Sequence, residues 1–435
     1  MVATSKMQKK SNLSNLVKQK SNNFYSKFYK NNISLIRLII FIIFSAVFFG
    51  AVTYKIILVS NGPVHEYDDH IIAAIRMVQE QRIVLPHFLF QLLTIFHHYL
   101  LSFLNLPTDN ITGINKPLPY DWAFSALIVM IEVYVSINLL LAYHLKKILK
   151  NQFTYSENIA YCIAFGLSVA TPIFLFAPID GLFYLGYLTP STIYIIPTQV
   201  LSKLPSLALF LLSPLFFTQN KNAKILWTIA LLVILSGLAK PNWLLVMLPA
   251  LGIISFIKLF KKQDINWLAL SVLLIASFIV LGWQYYFKFF DLTTPIYRSQ
   301  IIITAPFEVM NYYSDFIFIK IILSILFPLY VILFFWKSVK DDFLFSYGWL
   351  LFLIGLIFTG FLGESDPVKM AGNFWWCGQI ACFMLFVSAA SVFFSKCFVN
   401  YQKDKKKNIV GIIFFLAHVI CGLIYYIRSF ESVFA

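Results

Sequence analysis

The sequence predicts an all-α polytopic membrane protein with about 11 transmembrane helices. Hydrophobic residues make up 60% of the 435 residues, whereas charged residues make up only 12%. Mean hydropathy is +0.78. Apolar runs long enough to cross a bilayer recur along the whole chain. A soluble domain cannot bury this much apolar surface, so the composition excludes a soluble enzyme, a secreted disulfide scaffold and a nucleic-acid-binding module.

The chain is expected to form a basic cytoplasmic tail, residues 1–33, and a single transmembrane domain, residues 34–430. The tail contains seven Lys and no acid, and it is too long for the basic region of a signal peptide. Two of the predicted spans are weak, because 225–239 is short and 192–218 contains three prolines. The predicted spans are 34–59, 122–145, 157–178, 192–218, 225–239, 242–260, 266–286, 315–336, 343–362, 373–395 and 408–427.

The positive charges predict the orientation of these spans. With the N-terminus in the cytoplasm, the cytoplasmic segments hold 22 of the 34 Lys and Arg residues and 4 of the 19 acids. This asymmetry follows the positive-inside rule. It explains the net charge of +15 and predicts a plasma-membrane protein, with the bilayer as its partner and no nucleic acid.

Residues 86–106 are apolar enough to cross the membrane, but a crossing there would turn every later Lys-rich loop to the outside. We therefore predict a helix lying along the outer interface, with Gln91, His97 and His98 on its polar face. The first extracytoplasmic loop is then long, residues 60–121, and the unusual polar clusters of the chain all fall on its side of the membrane.

The most distinctive cluster is HEYDDH, residues 65–70. A helix from about 69 to 80 would place Asp69 and His70 on its polar face, with Asp68 as its N-cap. Glu66 and Asp69 are candidates for a general base or for ligands of a divalent metal, Mg or Mn. A solvated acidic patch is the alternative. The five cysteines form no CxxC pair, so they predict neither a disulfide nor a metal site.

Cations and aromatic residues of the other outer segments are candidates for substrate binding. Lys240 in AKPNW could contact a lipid phosphate or extend to the membrane surface, and Arg298 is better suited to a bidentate grip. Trp375 and Trp376 fit either an aromatic belt or stacking on a sugar. Tyr187 also fits either an aromatic belt or stacking on a sugar. The further substrate-binding candidates are His70, His87 and Asn373.

Few ionisable residues fall within the predicted spans, and most of them lie near span ends: Glu132, Lys203, Lys320 and His418. Transporters and proton relays keep paired charges at mid-depth, so this pattern disfavours them. A membrane acyltransferase needs a deeply placed His, for which His144 and His418 are poor candidates.

A large acidic first outer loop with interfacial helices resembles the GT-C superfamily of membrane glycosyltransferases, which includes protein O-mannosyltransferases and the aminoarabinose transferases of lipid A. The tracts YLGYLTPSTIYIIPTQ, LAKPNWLLVMLPAL and GNFWW are similar to GT-C-like proteins of bacterial surface-polysaccharide clusters. The resemblance implies a polyprenyl-phosphate sugar donor and a first-loop carboxylate, among Glu66, Asp68 and Asp69, as base or metal ligand.

The resemblance therefore predicts a glycosyltransferase of the bacterial cell envelope that acts outside the cytoplasm on a glycan, lipid or protein acceptor. The acceptor hydroxyl must lose a proton as it attacks the anomeric carbon, which requires a base. A polysaccharide polymerase or ligase, and a flippase or transporter of a lipid-linked substrate, remain as alternatives.

Overall fold

The computed structural model describes residues 33–59, 66–109, 111, 118–149, 156–174, 187–188, 194, 196–219, 222–290, 299–397 and 404–430. The described chain is almost entirely helical, with one two-stranded sheet. This confirms the all-α membrane fold predicted from composition.

The first seven helices are α1 Ile33–Val59, α2 Tyr67–Gln79, α3 Leu89–Leu101, α4 Tyr120–Leu149, α5 Ser156–Val169, α6 Pro197–Leu212 and α7 Ala223–Ala239. The remaining helices are α8 Asn242–Phe260, α9 Trp267–Phe289, α10 Glu308–Tyr313, α11 Ile317–Ser324, α12 Leu326–Val339, α13 Phe343–Phe361, α14 Trp375–Val392 and α15 Lys405–Arg428. Strands β1 Ile301–Ile303 and β2 Leu362–Glu364 pair antiparallel, with Ile301 opposite Glu364.

Each of the eleven predicted spans contains a helix, but the count of eleven crossings is not confirmed. Eight described helices are long and apolar enough to span a membrane, and the bent pair α11–α12 brings the number to nine. The other two predicted spans correspond to α5, with 14 residues, and α7, with 17. A full crossing of the hydrocarbon core takes about 20 helical residues.

Helix α3 contains 13 residues and is therefore about 20 Å long, which is too short for a crossing. The side chains of Gln91 and His97, predicted to face water, are instead buried against the protein. The outward face is apolar, with Phe96 59% and Leu100 52% exposed. Helix α3 thus turns its polar residues into the bundle, the reverse of the predicted arrangement.

The loops sort into two ends of the bundle. At one end, which we call the site end, Lys240 and Asn242 contact the segment 373–376. The other, the basic end, contains the Lys396–Asp342 and Lys146–Glu157 ion pairs. The described parts of the segments predicted to lie outside meet at the site end, while their orientation relative to the cytoplasm stays a prediction from the charges.

Helix α14 is the centre of the bundle. The most apolar stretch of the segment Lys369–Cys397 is fully buried inside the protein. The corresponding stretch of α1 is only 28% buried, so α1 lies at the periphery of the bundle. Helices α13 and α14 pack along much of their length. Their backbones approach closely at Gly355, where an added Cβ would lie 2.8 Å from the Cys377 carbonyl oxygen. Small residues permit such packing where burial provides little driving force between helices.

The bundle also contains two breaks in helical structure that meet at His418. Helix α5 ends at Val169, and α11 meets α12 at a 65° bend. The His418 Nδ1–H donates to the Thr171 carbonyl (2.6 Å), so its Nε2 accepts from the Phe327 backbone N–H at 3.3 Å. Backbone groups freed by a break must find partners inside a membrane protein, and one neutral imidazole here provides two of them.

Lys203 and Lys320, expected near span ends, are buried inside the protein. The Lys203 ammonium lies 5.1 Å from the centroid of the Phe383 ring. The Lys320 ammonium donates a hydrogen bond to Ser314 and lies 5.3 Å from the Tyr187 ring centroid. Aromatic faces therefore provide part of the environment of both interior charges.

Replacing Gly355 with Leu should destabilise the fold, because the new side chain would overlap the backbone of α14. Overpacking of this kind costs about 1–3 kcal/mol, so the thermal unfolding midpoint of purified protein should fall by several degrees. Gly282→Leu is the matched control, since no atom lies within 4 Å of a Cβ at that position. Equal stability of the two variants would show that α13 and α14 are not in close contact.

The predicted orientation can be tested by labelling single cysteines with a membrane-impermeant maleimide. Cys162 is the exposed thiol among the five cysteines, so Cys162→Ser provides the background. We expect Gln300→Cys, at the site end, to react in intact cells and Lys405→Cys, at the basic end, to react only after permeabilisation. The opposite pattern would reverse the assigned orientation.

Candidate functional site

A cavity of about 380 Å³ lies at the site end and is lined mainly by apolar surface. Its volume is within the range of small-molecule sites. Three predicted substrate-binding residues, His87, Lys240 and Asn373, line it although they lie far apart in sequence. The other polar residues of the lining are Asn242, Gln284, Lys288, Ser299 and Glu364.

Lys240 sits at the junction between α7 and α8, where its backbone N–H caps α7 by donating to the Ser236 carbonyl. Its side chain is 7% exposed, and its ammonium lies 4.9 Å from the Trp376 ring centroid. Burial lowers the pKa of Lys240, an effect partly offset by the charge of Glu66. A partly desolvated cation at a cavity wall is suited to binding an anion.

Glu66 occupies the N-cap position of α2, and its carboxylate Oε2 lies 3.8 Å from His70 Nε2. The Gln91 amide Nε2 is 2.7 Å from His70 Nδ1. Since that amide nitrogen can only donate, Nδ1 accepts and the ring proton is on Nε2, facing Glu66. Burial tends to raise the pKa of Glu66, but the adjacent His70 ring and the charge of Lys240 hold it below the ordinary value.

His87 lines the cavity beside these groups, and its ring centroid is 6.2 Å from that of His70. Burial, reinforced by the nearby positive charge of Lys240, lowers the pKa of His87 to about 3. The imidazole is therefore neutral at physiological pH. It retains an unprotonated ring nitrogen that can accept a hydrogen bond from a substrate hydroxyl.

The other two carboxylates of the HEYDDH cluster, Asp68 and Asp69, lie in the first turn of α2. Helix α2 begins at Tyr67, two residues earlier than predicted. The prediction of Asp68 as N-cap is therefore wrong: Asp68 lies in the first turn and is buried, and His70 is buried as well. Asp69 is exposed. Glu66 interacts electrostatically with Lys240 of the cavity wall.

Glu364 joins several segments at the cavity wall. It accepts hydrogen bonds from Lys288 on α9, from Ser299 before β1 at 2.9 Å, and from Asn373 before α14. The residue is 6% exposed. Burial alone would raise the pKa of Glu364, but these three donors, Lys288 foremost, hold it below the ordinary value. Glu364 is therefore ionised, and it fixes the positions of three other residues that line the cavity, Lys288, Ser299 and Asn373.

The aromatic residues predicted to bind substrate, Tyr187, Trp375 and Trp376, have different positions relative to the cavity. Trp375 is buried, and its indole N–H donates to the Tyr187 carbonyl at 3.1 Å. Tyr187 is itself buried, so these two residues hold the site end together and do not line the large cavity. The Trp376 ring lies against the ammonium group of Lys240. The Asn242 amide donates to the Asn373 carbonyl at 2.8 Å, which joins α8 to the start of α14.

The remaining outer cations have described partners or lie outside the described residues. Arg76 and Arg82 both donate to Glu80, at 2.9 and 2.7 Å. Lys369 pairs with Glu308 at 2.5 Å. Arg298 lies outside the described residues, so its expected contact with a donor phosphate stays a prediction.

Two other candidate chemistries can be judged from the described residues. No group of three or more His, Cys, Asp or Glu residues in that part of the chain could hold a metal ion, so metal binding by Glu66 and Asp69 gains no support. His418, considered for acyl transfer, engages the backbone with both ring nitrogens.

Sequence reasoning missed Glu364, Lys288, Ser299 and Gln284 as lining residues. The signal for Glu364 was present, because GESDP (residues 363–367) is an acidic tract beside two glycines and precedes GNFWW. Lys288 lies 76 residues from Glu364, and no local pattern connects the two.

Comparisons with protein-family models, curated proteins and solved structures find no match for this chain. The GT-C resemblance therefore depends on the sequence tracts alone.

Glu364 should make stability depend on pH in a way that identifies its network. A carboxyl group whose pKa is lowered by folding stabilises the protein above its unfolded-state value, near 4.5, and this contribution is lost as the pH falls through the lower folded-state pKa. Glu364→Gln should lower the unfolding midpoint by a few degrees at pH 7 and flatten its decline below pH 5. The exposed variant Asp341→Asn is the control. An unchanged acid profile in Glu364→Gln would contradict the network.

Proposed function

We propose that this protein is a membrane glycosyltransferase of the GT-C type. It transfers a sugar from a polyprenyl-phosphate-linked donor to an acceptor hydroxyl in the cavity at the site end. The observation that carries the proposal is the convergence of an ionised carboxylate, a neutral imidazole and a buried lysine beside one cavity at the end of the helical bundle. A polyprenyl-linked donor needs such a cavity, because its lipid chain remains in the bilayer while its headgroup reacts.

Glu66 acts as the general base. The acceptor oxygen attacks the anomeric carbon, its proton passes to the Glu66 carboxylate, and the bond from the anomeric carbon to the phosphate oxygen breaks. The bonding electrons leave with the prenyl phosphate. His70 orients the carboxylate, because its Nε2–H faces Glu66 while Gln91 fixes the imidazole from the other side. Such an orienting partner is characteristic of catalytic bases.

Lys240 binds the donor phosphate together with Arg298, which the sequence predicts as the principal phosphate-binding cation. The burial that lowers the pKa of the Lys240 ammonium also strengthens its attraction to an incoming anion, since both charges lie in a medium of low polarity. A fixed cation of this kind stabilises the negative charge that develops on the leaving phosphate.

His87 and Asn373 bind the sugar. The neutral imidazole accepts a hydrogen bond from a sugar hydroxyl, and the Asn373 side chain is held at the cavity wall by Glu364. The predominantly apolar lining suits the carbon-bound faces of a sugar ring and the first isoprene unit.

Glu66→Gln should reduce transfer by about 10²–10⁴-fold, the range supplied by a general base, while the protein stays folded. The measurement is release of prenyl phosphate by protein in lipid nanodiscs, supplied with a panel of polyprenyl-phosphate sugars and with cell-envelope glycan as acceptor. The carboxamide keeps the size of the side chain but cannot take up the proton.

Glu80→Gln is the matched control. It makes the same chemical change on the same interfacial helix, but Glu80 pairs with Arg76 and Arg82 away from the cavity. We expect this variant to retain activity close to wild type. Full activity in Glu66→Gln, or release of prenyl phosphate by neither wild type nor control with any donor of the panel, would contradict the proposal.

A further inference from the structure

A second cavity, of about 280 Å³, lies at the basic end between α8 and α13. It is separate from the proposed transfer site, which is at the opposite end of the same helices. Lys258, Lys261 and Gln263 line one side, and Ser346 lies at the start of α13 on the other. Its walls toward the membrane interior are apolar, including Ile254.

The two lysines give this cavity a positive charge. Lys258 donates to the Gln263 side-chain oxygen at 3.2 Å, and its ammonium lies 5.1 Å from the Phe217 ring centroid. Lys261 is exposed. Neither lysine forms an ion pair with a carboxylate of the described residues.

Nearby acids are held by other partners. Asp264 accepts from the Gln219 amide at 3.1 Å. Asp342 accepts from the Phe345 backbone N–H and from Lys396, the latter at 2.7 Å. No carboxylate belongs to the described cavity lining. The positive charge is thus left for an external anion.

The surface beside the cavity is apolar and outward-facing. On α8, Phe256 is 61% and Phe260 is 71% exposed, and the cavity residue Ile257 is 45% exposed. In a spanning helix such side chains contact lipid tails. A ligand with an anionic head and an apolar tail therefore matches both parts of this region.

We propose that the cavity between α8 and α13 binds the headgroup of an anionic phospholipid from the surrounding leaflet. The phosphate lies between Lys258 and Lys261, Gln263 and Ser346 offer hydrogen bonds to it, and the acyl chains run along Ile254 and Ile257. Basic pockets between transmembrane helices bind anionic headgroups in this way. If the predicted orientation holds, this end faces the cytoplasmic leaflet.

The proposal can be tested by native mass spectrometry of the full chain released from nanodiscs that contain phosphatidylglycerol and phosphatidylcholine. We expect one phosphatidylglycerol to be retained in preference to phosphatidylcholine. The double variant Lys258→Gln/Lys261→Gln should weaken this binding about 25-fold, because each lysine near a membrane surface contributes about fivefold.

Two further variants distinguish lipid binding in this cavity from a general effect of positive surface charge. Lys405→Gln/Lys406→Gln removes the same charge from exposed positions at the same end and should leave lipid binding unchanged. Ser346→Trp keeps both lysines but fills the cavity, so it should abolish retention. Equal losses in both double variants, or full retention in Ser346→Trp, would overturn the proposal, and thermal unfolding would verify that each variant is folded.

Free inorganic phosphate distinguishes the source of the anion. We expect millimolar phosphate not to displace the lipid, because it lacks the apolar part of the contact. Displacement by phosphate at that concentration would assign the cavity to a soluble anion and contradict the lipid proposal. Since the readout is lipid retention, the result is independent of whether the site end catalyses glycosyl transfer.

Discussion

The architecture of the site end depends on one buried charge. A carboxylate removed from water is stable only where donors replace its hydration, and Glu364 obtains them from α9, the start of β1 and the start of α14. Lys288 and Ser299 lie 76 and 65 residues from Glu364 in sequence, and the shared carboxylate brings them to one wall together with Asn373. The position of Asn373, and with it the shape of the cavity, follows from that requirement.

A second desolvation effect determines which groups in the cavity are charged. Burial disfavours ionisation for Lys240, His87 and Glu66 alike, yet the outcomes differ. Attraction to Lys240 helps to keep Glu66 ionised, whereas burial and the same positive charge keep His87 neutral. One environment thus provides an anion, a neutral acceptor and a cation close together, a combination that acid–base chemistry requires.

The sequence predicted the helical class and the segments that meet at the site end, because hydropathy and charge act over many residues at once. It placed His87, Lys240 and Asn373 on one side, and they do line one cavity. It did not predict that α2 begins at Tyr67 or that Gln91 points inward, since both depend on how α2, α3 and α4 pack against one another. The Lys288–Glu364 contact was also inaccessible, because a pairing across 76 residues leaves no local pattern.

His418 provides a consequence of a different kind. Because one imidazole serves the unwound end of α5 and the bend between α11 and α12, the two elements are mechanically coupled through α15. A shift of either would withdraw a hydrogen bond from the same ring, and a second proton on that ring would remove the acceptor for Phe327. The Ile173 backbone N–H also donates to the Leu323 carbonyl at 3.1 Å, so the segment after α5 and the bend are joined both directly and through His418. We therefore expect a displacement of one break to be accompanied by a displacement of the other.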